Sequence, residues 1–426
     1  MMPSIKIENP SVGTNTVRPD GVDKVTGRAI YGADVRLPNM TYGRVKRSPH
    51  AHALIKSIDI TKALALPGVL SIVTSEDFPA PVEAILQTIR GPMPAQWDIE
   101  RLMARRKVLF RGHPVAAVSA TDAHIAEDAV ELIEVEYDVL PPVVTIEDAL
   151  SPSAPILHDD GMDEIVEDLF TPMDGKPSNI ARTVEMGFGD IEEGFSQADI
   201  ILERVYETAM SHQGYIEPHN ATAVWNHDGK ITIWTSTQGA FGIRQNVSRI
   251  LDVSLGDLRV VPAEIGGGFG GKNVVYLEPL AALLSKKSGR PVQMTMSRTE
   301  VLEATGPTSG TRSFVKIGAT KDGKLVAADI RLEYEAGAYP GSPVAGGARC
   351  ALGPYLVPHQ RIIGLDIVLN RPKTAAYRAP GAPASEFAVE ALLDELAEQL
   401  DIDPMELREI NAAQEGCLLY TSYAAD

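Results

Sequence analysis

The stretch Ile265-Gly-Gly-Gly-Phe-Gly-Gly-Lys272 decides how this chain is read. Five glycines fall within six positions, one phenylalanine interrupts them, and a lysine and an apolar run follow. Glycine at this density lets the backbone come close to another group and present its N–H groups to it. A helix starting near Asn273 would add its positive end, so the loop is expected to hold an anionic group. The identity of that group is open. Gly266-x-x-x-x-Gly271-Lys272 fits the start of a phosphate-binding P-loop, but Asn273 stands where a hydroxyl should reach magnesium. A P-loop also follows a buried parallel strand, whereas residues 258–265 include Pro262 and Glu264. A glycine-rich structural turn is the plain alternative, although so many glycines are costly in unfolded-chain entropy for a turn alone.

Composition bounds the rest. A chain of 426 residues, 44% of them hydrophobic, can bury a sizeable core in about two or three domains. Its formal charge of −18 argues against nucleic acid as a partner, because phosphate binding needs basic surface. The basic run at residues 101–107 reads as a solvated face. Cys350 and Cys417 are too few for a disulfide framework or a cysteine-held zinc or iron–sulfur site within this chain. The first residues lack an apolar signal core and no stretch is long enough to span a bilayer, so the expectation is a cytoplasmic protein with no membrane partner.

Residues 1–20 read as an extended arm. Residues 42–55 give a strand signal in which His50 and His52 share a face, but no further ligand sits at metal spacing and both read as structural. Residues 114–120 read as a buried strand, Thr121 or Asp122 as the cap of a helix through Ile133, and residues 135–144 as a second strand. This strand–helix–strand unit closes a first domain near Leu150. Residues 151–179, rich in Pro, Asp and Gly, read as a linker. Beyond it the pattern predicts strands at 198–208 and 230–238, helices at 240–251 and 274–287, and a hairpin about Asp322-Gly323. It also predicts a flexible glycine-rich loop at 341–347 near the pocket and helices at 386–400 and 403–411. His212 and Glu217 have the chemistry of an acid–base pair but read as an internal hydrogen-bonded pair fixing a loop.

Ile265-Gly-Gly-Gly-Phe-Gly-Gly-Lys272 resembles the cofactor loop of the xanthine dehydrogenase/aldehyde oxidase family, in its molybdenum-binding large subunit. Other stretches match the family in order, from about Gly21 to Asn411. Residues 23–32 and 42–55 resemble its N-terminal hammerhead domain. The segment around His212, Glu217 and Pro218 resembles a family signature, as do Ser236-Thr237-Gln238, Ser297-Arg-Thr-Glu300, Lys373-Thr-Ala-Ala-Tyr-Arg-Ala-Pro-Gly-Ala-Pro383 and residues 403–411.

The resemblance implies an α+β fold: an α/β hammerhead domain at 21–150, then the first part of a molybdopterin-binding α+β domain at 180–415. Residues 416–426 depart from the family and read as read-through from a truncated sequence. The resemblance further implies that Gln238 reaches an oxygen ligand of molybdenum. Gly268, Phe269 and Gly270 would line the metal, with Phe269 and Gly270 donating backbone N–H bonds, and Arg378 would sit beside the cofactor. No direct metal ligand is expected from the chain. Arg349 and Asn273 are candidates for substrate contact; a glutamate stands at the Asn273 position in purine-oxidising members.

The implied cofactor is molybdenum–molybdopterin, in a dinucleotide form, with 2Fe–2S clusters and FAD on partner subunits in a dimer of heterotrimers. The implied reaction oxidises a small molecule, an N-heterocycle or aldehyde, with water as oxygen source. The catalytic glutamate is expected beyond Asp426, so no turnover is expected from this chain alone. Two other classes remain: a non-catalytic binding or assembly protein, and a P-loop nucleotide enzyme that would bind magnesium-ATP through Lys272.

Overall fold

A computed structural model describes residues 13–79, 85–88, 91–94, 96–158 and 178–414. Most of the expected arm, most of the expected linker and all of residues 416–426 lie outside the described residues. Helices and strands alternate through the chain, in keeping with the expected α+β class.

A seven-stranded sheet runs in the order Leu258–Pro262, Ile231–Thr235, Asn220–Trp225, Val292–Thr295, Thr41–Arg47, Pro114–Ala120, Val69–Val73. Its alternation follows from residue type: Ile231, Ile233 and Thr235 point inward while Thr232 and Trp234 are only partly covered. Pro114–Ala120 is buried along its whole length, as its run of small apolar residues requires of a strand covered on both faces. Ala126 and Ala129 of the helix Ala123–Glu131 pack with Ala116, Val118 and Ala120 on one face. Leu280 and Leu284 of the helix Glu278–Ser288 share a core with Val45, Val73 and Ala117 on the other. A second sheet runs Ile200–Thr208, Thr311–Ala319, Leu325–Gly337, His359–Val368, Ile180–Phe188, with helix Ala382–Leu400 packed on it through Ala388, Leu392 and Leu396.

Several expectations need correction. The strands flanking helix Ala123–Glu131 do not form one unit: Pro114–Ala120 lies in the seven-stranded sheet, while Glu134–Val139 pairs with Ala53–Asp59 in a separate three-stranded sheet. Periodicity registers each strand but not which neighbour it takes. Asp122 is the helix cap, accepting from His124 N at 2.8 Å. His50 and His52 sit in the turn before Ala53–Asp59, with His50 edge-on to Tyr137 and His52 Nδ1 2.8 Å from Pro141 O. The glycine-rich 341–347 stretch is not a loose loop. Asp366 accepts from the N–H groups of Gly341 and Ser342 at 2.7 and 2.8 Å, and a helix begins at Val344 and runs to Cys350. Among the described residues no helix is long and apolar enough to cross a membrane.

Buried Asn370 joins the N-terminal segments to the second sheet. Its Oδ1 accepts from Val143 N at 2.8 Å and its Nδ2 donates to Leu109 O at 2.9 Å. Asn370→Leu keeps the volume but orphans a buried N–H and a buried C=O. The expected cost is about 2–4 kcal/mol, read as a lower urea midpoint with the slope unchanged.

Candidate functional site

Strands Ile231–Thr235 and Leu258–Pro262 run parallel, so both end on the same side of the sheet. Ser236, Thr237 and Gln238 leave the first, and the glycine loop follows the second. Leu258–Pro262 is the edge of the sheet rather than its buried centre, as its proline requires. The loop closes in a short 3-10 turn over Gly271–Asn273, and the next α-helix begins only at Glu278. The helix expected from Asn273 or Val274 therefore starts later, so the loop does not run directly into a helix as a P-loop would.

Lys272 turns inward. Its side chain has 0% exposure, and its Nζ donates to Glu217 Oε2 at 2.7 Å and Ser236 Oγ at 2.8 Å. Ser236 Oγ also donates to Glu217 Oε2, at 2.5 Å, and Gly266 N donates to the same oxygen at 2.7 Å. Burial raises the Glu217 carboxyl, but Lys272, Ser236 and the Gly266 N–H outweigh it and hold it below the ordinary range. Burial draws Lys272 down against the opposing pull of Glu217. A lysine so enclosed cannot reach a nucleotide phosphate, which removes the P-loop reading. His212 and Glu217 do not pair either: His212 Nε2 lies 2.9 Å from Thr305 Oγ1, and Glu217 is taken by Lys272.

The glycines serve contact with the protein itself. A Cβ on Gly268 would lie 2.6 Å from Gln238 Oε1. Gly270, at φ +104°, would place one 2.5 Å from Ala376 O, so neither conformation nor space admits a side chain there. Gln238 is exposed, and its Oε1 accepts from Gly270 N at 2.8 Å and Lys272 N at 3.2 Å. Gln238 is therefore left with its amide NH2 as its outward hydrogen-bonding group. The same bond corrects one expectation: the Gly270 N–H is spent on Gln238 and is not free for a metal-bound group. Among the described residues, no acceptor takes the N–H of Gly268 or Phe269.

Phe269 is 49% exposed at φ 50°, and its carbonyl accepts from Arg378 N at 3.0 Å. Arg378 and Ala379 are also left-handed, a conformation costly for residues with side chains and concentrated at functional sites. Thus Gln238, Phe269 and Arg378, all exposed, meet at one mouth, with Gly270 half-buried and Gly268 buried behind them. Asn273 joins them, exposed, with Oδ1 3.4 Å from where a Cβ on Gly239 would stand. Arg349 is exposed on helix Val344–Cys350, bonded to Ala345 O at 3.2 Å. That helix packs beneath the Arg378 turn, since a Cβ on Gly381 would meet Pro343 O at 2.4 Å. Gln213, which carries no motif of its own, also contributes. Its Nε2 donates to Gly306 O at 3.1 Å and Ala376 O at 2.9 Å, holding the strand of chain against which Gly270 rests. Its one sequence signal is its place beside His212.

With this geometry in view, comparison with known proteins identifies the class. The molybdopterin cofactor-binding domain matches residues 173–412, and the aldehyde oxidase and xanthine dehydrogenase a/b hammerhead domain matches residues 26–141. The chain belongs to the molybdopterin-binding large subunits of the xanthine dehydrogenase/aldehyde oxidase family. It is 35% identical over 398 residues to a probable xanthine dehydrogenase subunit of Bacillus subtilis, covering 93% of this chain and 50% of that one. It is 31% identical over 418 residues to the nicotinate dehydrogenase large molybdopterin subunit of Eubacterium barkeri, covering 96% of this chain and 91% of that one. The aldehyde oxidoreductase structure from Desulfovibrio gigas aligns with a TM-score of 0.83 at 30% identity, over 94% of this chain and 43% of that one. The chain thus spans about half the length of the Bacillus subtilis relative and nearly all of the Eubacterium barkeri one.

Beneath the mouth, His219 Nε2 lies 2.7 Å from Tyr215 Oη, and burial pulls His219 from 6.5 to about 3. Burial likewise pulls His113 to about 4. Both stay neutral when folded and charge when unfolded, so their stabilisation is complete above pH 6.5 and is lost as pH falls toward 4 and then 3. Thermal unfolding between pH 6.5 and 4.5 is expected to take up protons at both sites, each steepening the decline by about 1.4 kcal/mol per pH unit. His219→Gln should remove one of those two contributions from the calorimetric pH series.

Proposed function

We propose that this chain builds one wall of the molybdopterin site of a molybdenum hydroxylase. The whole enzyme would oxidise an N-heterocycle or an aldehyde with water as oxygen source. Electrons would leave to 2Fe–2S and FAD groups on partner subunits, in a cytoplasmic dimer of heterotrimers. The observation that carries the reading is the meeting of Gln238, Phe269 and Arg378 at one exposed mouth, with Gly268 buried behind them.

The donor set suits the group. A pterin dithiolene with its phosphates and oxygen ligands is rich in acceptors and negative charge, and this mouth offers donors. Gln238 has only its NH2 left to give, the N–H groups of Gly268 and Phe269 have no acceptor among the described residues, and Arg378 adds a fixed cation. In a chain of formal charge −18, such a local concentration of donors needs a purpose. When bound, the cofactor supplies the two-electron oxidation of a substrate carbon. The chain's own residues bind and orient it. Gln238 presents hydrogen-bond donors in fixed polarity, Phe269 shields the mouth with an apolar ring, and Arg378 offers a guanidinium fork to an oxyanion. Asn273 beside Gln238 offers substrate a neutral amide, and Arg349 a nearby cation.

The chain produced with its partner subunits in a host that makes molybdopterin should retain molybdenum, by plasma mass spectrometry, and pterin, by fluorescence after oxidation. Gln238→Ala and Arg378→Ala should each lower retention by roughly tenfold, the effect of one lost charge-assisted or buried hydrogen bond. A well-folded wild-type complex carrying neither molybdenum nor pterin would refute the reading.

A further inference from the structure

We infer that Glu217 and Lys272 are the positioning pair of the glycine loop, holding it and the Gln238 amide in receptive shape before any cofactor arrives. The inference takes from the proposed function only the identity of what the loop receives.

Glycine loses more backbone freedom on ordering than any other residue, so a loop with five glycines in six positions needs something to hold it. Both of its ends are tied to one carboxylate. At the entry, Gly266 N donates to Glu217 Oε2 at 2.7 Å and Glu217 N donates to Gly266 O at 3.1 Å. At the exit, Lys272 Nζ donates to the same Oε2 at 2.7 Å, and Ser236 Oγ bridges the two charges. The Tyr215 ring lies 5.0 Å from the ammonium.

The clamp continues into Gln238 through the main chain of Lys272. The Lys272 carbonyl accepts from Gln238 N at 3.1 Å and Thr237 Oγ1 at 3.0 Å, while its N–H donates to Gln238 Oε1 at 3.2 Å. With Gly270 N on that oxygen at 2.8 Å, the amide is held in one orientation and its NH2 is left as the outward donor. The Lys272 side chain is 0% exposed, and both Glu217 oxygens are taken by protein donors, Oε2 by Lys272, Ser236 and Gly266 and Oε1 by Asn220 Nδ2 at 3.2 Å. The two charges act through Gly266, Gly270 and Gln238. An apolar pair of similar volume could match the stability of such a buried ion pair, but it could not accept the Gly266 N–H.

That difference separates positioning from mere folding. Hydrogen exchange read by mass spectrometry on the cofactor-free 426-residue chain should show protection in peptides covering residues 262–275. In the double variant Glu217→Leu/Lys272→Met, the strand Val292–Thr295 should keep its protection and the melting temperature should be near wild type. The loop peptides should nevertheless exchange at least about tenfold faster, and pterin retention should fall in parallel. Wild-type exchange in the loop of the double variant would overturn the inference. So would a wild-type loop that exchanges as fast as an unstructured peptide. If the double variant does not fold, Glu217→Gln keeps the volume and removes the charge pair: faster loop exchange supports the pair, and unchanged exchange overturns it. A wild-type complex without molybdenum or pterin but with a protected loop would defeat the cofactor reading and leave the positioning pair standing.

Discussion

A lysine ammonium sealed against a glutamate is the constraint on which the ligand side of this molecule depends. Removing two charges from water costs several kcal/mol each, and their mutual attraction offsets this only when the remaining hydrogen-bonding capacity is also filled. Here Ser236 and the Gly266 N–H donate to one carboxylate oxygen, and Asn220 Nδ2 donates to the other at 3.2 Å. The surroundings agree with the charged state. The net electrostatic environment keeps Glu217 ionised, and burial, though it weakens Lys272, is opposed by its partner. The loop's glycines then follow as a packing requirement. Their missing side chains make room for Gln238 and Ala376 as much as for any ligand.

The larger architecture delivers these pieces to one place. Open sheets commonly bind ligands where parallel strands end, and here the edge strand Leu258–Pro262 and its neighbour Ile231–Thr235 run parallel and release the loop and Gln238 side by side. The second sheet supplies the opposite side. Helix Val344–Cys350 and the chain leading into helix Ala382–Leu400 set the Arg378 turn against Phe269. Stretches far apart in the chain thus share a single mouth.

Much of this was legible in the sequence, for reasons that differ by element. Helix Ala240–Ile250 announces itself through periodicity and helix Pro404–Asn411 through its cap; Asp403 accepts from Met405 N at 2.8 Å as its position before Pro404 implies. The hairpin strands Thr311–Ala319 and Leu325–Gly337 follow from Asp322-Gly323. Gln238, Phe269 and Arg378 stood out only through resemblance, because an isolated glutamine or arginine has no local signal. The Lys272–Glu217 bond was hidden because its partners are 55 residues apart and a lysine after glycines looks like a phosphate binder until its burial is known. Strand partnership was hidden for the same reason: Pro114–Ala120 reads as buried, but nothing local says that it lies between Thr41–Arg47 and Val69–Val73 rather than beside Glu134–Val139.

The seven-stranded sheet also bears on how such chains can be divided. Three of its strands fall within the hammerhead match and four within the molybdopterin-binding match, and Thr41–Arg47 pairs directly with Val292–Thr295 across that divide. A cut between the two matched regions would leave two raw sheet edges and split the core shared by Val45, Ala117 and Leu280. The two matched regions share one sheet and one core. A graft of either half alone would have to bring an edge that matches the pairing of Thr41–Arg47 with Val292–Thr295.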